Sequence, residues 1–177
     1  MAVKNNQDIV EAICVSSYSP EEKEVNARYV NLKIVEDTDF IFFSNYNSPK
    51  AQEFKNHDQV AISIHWSSIA VQIRMKGKIK KSKNELSDNY FKNRKKEKNA
   101  LAISSYQSKY TESYDVFLKK YNKVLLEENL FNRPKYWGGF NFTPYYFEFW
   151  QGHDSRINKR ETYELQGDCW KNFYLEP

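Results

Sequence analysis

The segment "IAVQIRMKGKIKK", residues 69–81, alternates apolar and polar side chains more cleanly than any other part of the chain. On an extended backbone Val71, Ile73, Met75 and Ile79 fall on one side, and Gln72, Arg74, Lys76, Lys78 and Lys80 on the other. A period of two is incompatible with a helix, which would spread the lysines around its axis. The segment therefore demands a sheet with one dry and one wet face, the pattern of antiparallel pairing.

Other segments extend that sheet. "AICVSS" (12–17) and "VAISIHW" (60–66) are short and apolar, and "DFIFFSN" (39–45) is apolar enough for a strand buried on both faces. "RYVNLKIV" (28–35) sets Val30, Leu32 and Ile34 against Tyr29, Asn31 and Lys33, and "EDTD" after it reads as a hairpin turn. "YYFEFW" (145–150), "SRINKRETYEL" (155–165) and "CWKNFYL" (169–175) complete the predicted strands. In 155–165 an extended backbone would put Arg156, Asn158 and Arg160 on one face and Ile157 on the other. Such a row suits an anion opposite it, or a charged edge that resists aggregation.

Three helices interrupt the strands, after a loose or briefly helical lead-in at 1–11. The first has Ser48 as N-cap and Pro49 in its first turn. The second is expected from Ser82, with Glu85 completing a capping box, and carries "ELSDNYFKNRKK". The third spans about 111–129, with Tyr114, Phe117, Leu118, Tyr121, Val124 and Leu125 as an apolar stripe. Strands joined by short turns, with helices between some of them, predict an α+β fold: an antiparallel barrel with helices packed outside, one domain over 1–177. The βαβ rhythm and GxGxxG of a dinucleotide fold are absent.

Tyr90 and Arg94 stand four apart, and Lys98 continues their line if the helix persists. A phenol, a guanidinium and an ammonium on one stripe make either a phosphate cradle or an ordinary exposed face. His57, His65 and His153 are scattered in no ligand spacing, so no metal site is expected. No Gly-x-Ser-x-Gly elbow supports hydrolysis. The lysines at 76, 78 and 80 read as the wet face of a strand rather than a nucleic-acid track. Two distant cysteines, Cys14 and Cys169, fit a reducing compartment. No apolar run approaches the roughly 20 residues of a membrane helix, and the N-terminus lacks an apolar signal core, so a cytoplasmic, soluble protein is expected.

From Ala12 onward, "RYVNLK", "FIFFSNYNSPKA", "HWSSIAVQIRMKGKI", "SDNYFKNR", "YQS", "YWGGF", "EFWQG…SRINKR" and "YLEP" stand in an order that resembles the pyridoxine/pyridoxamine 5′-phosphate oxidases. The resemblance implies an FMN-binding split β-barrel and a homodimer with FMN at the subunit interface. It implies oxidation of pyridoxamine or pyridoxine 5′-phosphate to pyridoxal 5′-phosphate by FMN, with O₂ as acceptor. By similarity, the FMN positions are Arg28, Tyr29, Val30, Asn31, Phe43, Ser44, Lys50, Gln72, Gln107, Ser108, Trp150 and Arg160. The substrate positions are Lys33, Tyr90, Arg94, Lys98, Arg156 and Asn158, with Arg156 as the catalytic side chain over the reacting carbon.

The chain departs from the family pattern at several places. Pro49 replaces a basic residue, Lys98 a serine, Asn158 a histidine, Lys159 an aspartate and Tyr174 an arginine. "KKEKNALA" follows Arg94 in place of the usual run, and little of the family's N-terminal extension precedes Ala12. Two further readings go with these departures: an FMN oxidase of the same fold for another small ring compound, as in phenazine-type relatives, or a non-catalytic FMN- or pyridoxal-phosphate-binding protein.

Overall fold

The computed structural model describes residues 2–177. Its longest strand, β6 (Trp137–Gln151), organises the rest. Along its first half β6 pairs with β3 (Asp39–Asn45), from Phe142 opposite Phe40 to Trp137 opposite Asn45. Along its second half it pairs with β7 (Lys159–Gln166), from Tyr146 opposite Glu164 to Gln151 opposite Lys159. On its other edge it follows β5 (Val71–Lys81) nearly end to end. The sheet runs β3-β2-β1-β4-β5-β6, with β1 (Ala12–Ser19), β2 (Glu24–Glu36) and β4 (Gln59–Trp66). The β3–β6 pairing closes these six strands into an antiparallel barrel, and β7 with β8 (Cys169–Leu175) splays away as a flap.

The alternation at 69–81 places its apolar face as expected. Met75 and Ile79 are buried in the barrel core beside Ile13, Val15, Phe42, Ile62, Phe140 and Phe142, while Lys76, Lys78 and Lys80 face out. Val30 and Leu32 pack against the same core. Strand β3 is covered on both faces.

Helix α1 (Pro49–Asn56) starts at Ser48 as anticipated, although the Ser48 hydroxyl donates to the Asn45 carbonyl at 2.7 Å instead of capping an N–H. Helix α2 (Asn84–Lys92) begins later than the capping-box reading, because Ser82 spends its hydroxyl on Asn141 of β6. Helix α3 (Lys96–Ser104) was not expected. Helix α4 (Tyr114–Glu127) is shorter than 111–129, and its Ser113 hydroxyl accepts from the Val116 N–H. Phe117, Leu118, Tyr121, Val124 and Leu125 are its half-covered residues, and Tyr114 is exposed. β6 begins eight residues before the predicted 145, so the "WGGF" motif lies within it.

Packing around that motif explains Gly138. A Cβ on Gly138 would collide with the Tyr46 phenol, whose hydroxyl donates to the Gly139 carbonyl at 3.2 Å. A methyl group at this contact forces helix α2, Tyr46 or β6 to move. Gly138→Ala should therefore cost about 1–3 kcal/mol, read as a lower urea midpoint with an unchanged slope.

Candidate active site

Strands β2 and β3, helices α1, α2 and α3, and the loop after α3 enclose a cavity of about 840 Å³. The local reasons are simple. The alternation of β2 turns Tyr29, Asn31 and Lys33 outward to its rim while Val30 anchors the strand in the core. The Pro49 start of α1 carries Lys50 inward, where it is only 7% exposed. Arg28, Tyr29, Val30, Asn31, Lys33, Phe43, Ser44, Lys50, Tyr90, Arg94, Lys98, Gln107 and Ser108 all line this one space. They come from six separate stretches of sequence.

At the deep end Lys50 Nζ donates to Ser44 Oγ at 3.3 Å, and Ser44 Oγ donates to Gln107 Oε1 at 3.2 Å. The Asn45 N–H also reaches Gln107 Oε1, at 3.3 Å. Burial, and secondarily the Arg28 charge, lower the Lys50 ammonium to a pKa of about 8, with Glu53 opposing them. Arg28 itself is committed: Nη2 donates to buried Glu53 at 2.8 Å, and Nη1 to Ser17. Asn26 holds the other Glu53 oxygen at 3.2 Å. Among the described residues, Lys50 is thus the deep-end cation that forms no ion pair.

At the other end Tyr90 stacks on Phe43, with centroids 3.8 Å apart. The expectation that Tyr90, Arg94 and Lys98 follow one helix is corrected here. Helix α2 stops at Lys92, Arg94 lies in the turn, and Lys98 starts afresh on α3. The break still delivers all three to the same wall. Arg94 Nη1 is buried with no partner, and burial lowers its pKa from the usual guanidinium value.

The remaining residues of interest lie elsewhere. Gln72, Trp150 and Arg160 are direct register neighbours across β5, β6 and β7. Two residues along β6 from Trp150 sits Glu148, 2% exposed. It accepts from Arg160 Nε at 2.9 Å, from Arg74 Nη1 at 3.1 Å and from the Tyr146 hydroxyl at 3.2 Å. Burial alone would raise its pKa; the Arg160 hydrogen bond and the Arg74 charge outweigh this and hold it below the usual carboxylate range. The strand predicted at 155–165 begins only at Lys159. Arg156 takes a left-handed φ of 60° in the preceding turn, and Asn158 Oδ1 accepts from the His153 N–H at 3.1 Å. Arg156, Asn158 and Arg160 therefore do not form a strand row.

The cavity meets β6 at Trp137, whereas Trp150 lies at the far end of the same strand. Thirteen residues of extended chain separate them by roughly 40 Å along the strand. Within one chain the two sets of residues are separate sites.

Sequence reasoning passed over Trp137, which lines the cavity, and the acids Glu53 and Glu148 that fix arginines at the two sites. The glycine pair after Trp137 and the lone acid in an aromatic strand were the available signals. Among the described residues there is no cluster of three or more potential metal ligands, and no helix is long and apolar enough to cross a membrane.

Comparison with known proteins places this architecture. The pattern for "Pyridoxamine 5′-phosphate oxidase" matches residues 9–127, and that for "Pyridoxine 5′-phosphate oxidase C-terminal dimerisation region" matches 137–177. The chain belongs to the pyridoxamine 5′-phosphate oxidase family. It is 37% identical to the pyridoxine/pyridoxamine 5′-phosphate oxidase of Cytophaga hutchinsonii over 155 residues, 85% of this chain and 72% of that one. It is 33% identical to the enzyme of that name from Colwellia psychrerythraea over 170 residues, 94% and 77% of the two chains. The fold of the family is seen in PhzG from Burkholderia lata, solved with tetrahydrophenazine-1-carboxylic acid. That chain has a TM-score of 0.89 and 22% identity, with 95% of this chain and 83% of that one covered. It is seen again in a pyridoxamine 5′-phosphate oxidase-related, FMN-binding protein from Nostoc punctiforme, with a TM-score of 0.82 and 13% identity, covering 99% and 93%. The family is one of FMN-dependent oxidoreductases.

Proposed function

We propose that the chain is an FMN-dependent oxidase converting pyridoxamine or pyridoxine 5′-phosphate to pyridoxal 5′-phosphate with O₂ as acceptor. It works as a single cytoplasmic domain over 1–177, paired in a homodimer through the region of β6, β7 and β8. Each cofactor site combines the cavity of one subunit with the Gln72–Trp150–Arg160 row of the other. The observation that carries this reading is the separation of the two residue sets to opposite ends of β6: Gln72, Trp150 and Arg160 are not among the residues that line the cavity of their own chain.

The residues fit FMN. Lys50 is a buried cation with no carboxylate partner, flanked by the Ser44 hydroxyl and the N-terminus of α1, a setting that favours a phosphate. Arg28, Tyr29, Val30, Asn31, Phe43, Gln107 and Ser108 would bound the rest from one subunit, and Gln72, Trp150 and Arg160 from the other. FMN supplies the two-electron acceptor that O₂ regenerates. The protein's own part is placement and charge. Arg94, with an unpaired buried nitrogen, Tyr90, Lys98 and Lys33 would hold the substrate phosphate. Arg156 and Asn158, in the turn before the row, would reach the ring from the partner subunit. Purified protein loaded with FMN should turn pyridoxamine 5′-phosphate into pyridoxal 5′-phosphate in air; protein that takes up no FMN, or takes it up and forms no product, contradicts the reading.

The depressed Lys50 ammonium gives a pH signature. The cation that would hold the FMN phosphate is present below about pH 8 and lost above it. FMN affinity should hold up to that pH and then weaken on further rise. Stability runs the other way. The folded pKa lies below the unfolded one, so the unfolded chain binds the extra proton between about 8 and 10.5. The contribution of Lys50 to apoprotein stability therefore increases as pH climbs through that window. FMN titrations and apoprotein melts across pH 7–10 check both signs.

A second reading, a divergent oxidase for another ring compound, is favoured by one contact: Asn158 spends its carbonyl on the His153 N–H. Asn158→His separates the two. It should raise turnover of pyridoxamine 5′-phosphate several-fold if the pocket serves that substrate, and leave it unchanged if the pocket serves another.

A further inference from the structure

The Phe43, Tyr90 and Trp137 rings form a nearly parallel slab, with interplanar angles of 7° for Phe43–Tyr90 and 12° for Phe43–Trp137. The Arg94 guanidinium lies on this slab, its Cζ 4.6 Å from the Trp137 ring centroid. Trp137 is 5% exposed and is itself clamped. Its carbonyl accepts from Arg133 Nη1 at 2.6 Å, while Arg133 Nε holds Asp88 at 2.6 Å and Nη2 holds Asn84 at 3.1 Å, both on α2. One arginine thus ties the Trp137 backbone to the helix that leads into Arg94.

We propose that Trp137 is the positioning residue for phosphate recognition. Its indole face carries the Arg94 guanidinium without a carboxylate partner, leaving the N–H donors at the guanidinium edge for a phosphate monoester. This rests on the substrate assignment above and adds to it the element that sets selectivity for phosphorylated over unphosphorylated ligands. The physical basis is twofold. A desolvated guanidinium is attracted to the negative face of an aromatic ring, most strongly to indole. A ring contact also leaves the N–H donors at the guanidinium edge free, which a carboxylate partner would not. A flat, planar cation on a flat ring has a defined orientation, whereas a lysine at 94 would not.

The test is equilibrium binding of pyridoxal 5′-phosphate and of unphosphorylated pyridoxal to FMN-loaded parent, Trp137→Leu, Trp137→Phe and Arg94→Ala, alone and with Trp137→Leu. FMN affinity, melting temperature, and KM against kcat for pyridoxamine 5′-phosphate are read on each. Trp137→Leu should weaken pyridoxal 5′-phosphate about tenfold, with the kinetic loss falling on KM more than kcat. Pyridoxal binding and FMN affinity should stay within about twofold. Trp137→Phe, which keeps a π face, should recover most of the loss. In the Arg94→Ala background Trp137→Leu should add nothing, because the cation it carries is gone. A parent that binds pyridoxal but shows no preference for its phosphate refutes the substrate assignment, and this proposal with it. A parent that prefers the phosphate while Trp137→Leu binds it equally well refutes this proposal alone. Parallel losses of FMN, pyridoxal and pyridoxal 5′-phosphate in both Trp137 variants would make Trp137 a packing residue only, and also overturn it.

Discussion

Lys50→Met should give a protein that folds at least as well as the parent and binds FMN about a hundredfold more weakly. Both halves of this result follow from one fact: the ammonium is buried and has no carboxylate partner of its own. Lowering a lysine from 10.5 to about 8 corresponds to roughly 3 kcal/mol against the charged form. A methionine of similar length fills the same space without that cost, so the apoprotein gains stability at neutral pH. The same change removes the deep cation that, among the described residues, is in no ion pair, since Arg28 is held by Glu53. Fluorescence quenching of added FMN gives the affinity, and apoprotein melts give the stability. A variant that loses stability, or keeps FMN, would remove Lys50 from the site. The substitution should also abolish the pH dependence that Lys50 imposes on both quantities.

Glu148→Ala should act in the opposite sense, lowering stability by about 3 kcal/mol. That is the lower end for removing one partner of a buried ion pair, because Arg74 and Arg160 keep part of their surface in water. The carboxylate is the common acceptor for two guanidiniums and a phenol, so its loss leaves the centre of the β5–β6–β7 face electrostatically unbalanced. Arg160 would lose its orientation as well, and FMN affinity should fall with it. Glu148→Gln keeps the shape and one acceptor and should cost less. Urea unfolding of the two variants, each as apoprotein, provides the comparison.

The barrel was legible in the sequence because β5, β2 and β3 each present a periodic or fully apolar pattern that only a sheet can use. Helix α3 was not. Its buried residues are Asn99, Ala100, Ala102 and Ser104, which make no apolar stripe. It is held instead by the Asn99 amide donating to the Phe91 and Leu130 carbonyls, both at 2.9 Å. Alternation misled at 155–158, where a left-handed Arg156 and the Asn158–His153 contact make a turn of what spelled a strand. Ser82 had the spacing of a cap but found a better acceptor across the sheet in Asn141. At the site, the family resemblance named residues without saying which could meet in one chain. Only the register of β6 separates those around the cavity from those around Trp150. Trp137 escaped notice because its partners Phe43, Tyr90 and Arg94 come from a strand, a helix and a turn that no local pattern connects.

The central claim, that each site is built from the cavity of one subunit and the strand row of the other, is tested by mixing two defective chains. Lys50→Met damages the cavity and Arg160→Ala the row. A dimer containing one of each has one site with both defects and one with neither. After co-refolding or co-expression at equal amounts, the pool should recover about a quarter of the parent's high-affinity FMN sites and of its turnover, although each variant alone has almost none. Recovery no greater than the average of the two separate variants would show that the cavity and the row belong to the same chain or do not act together, and the shared site would be wrong.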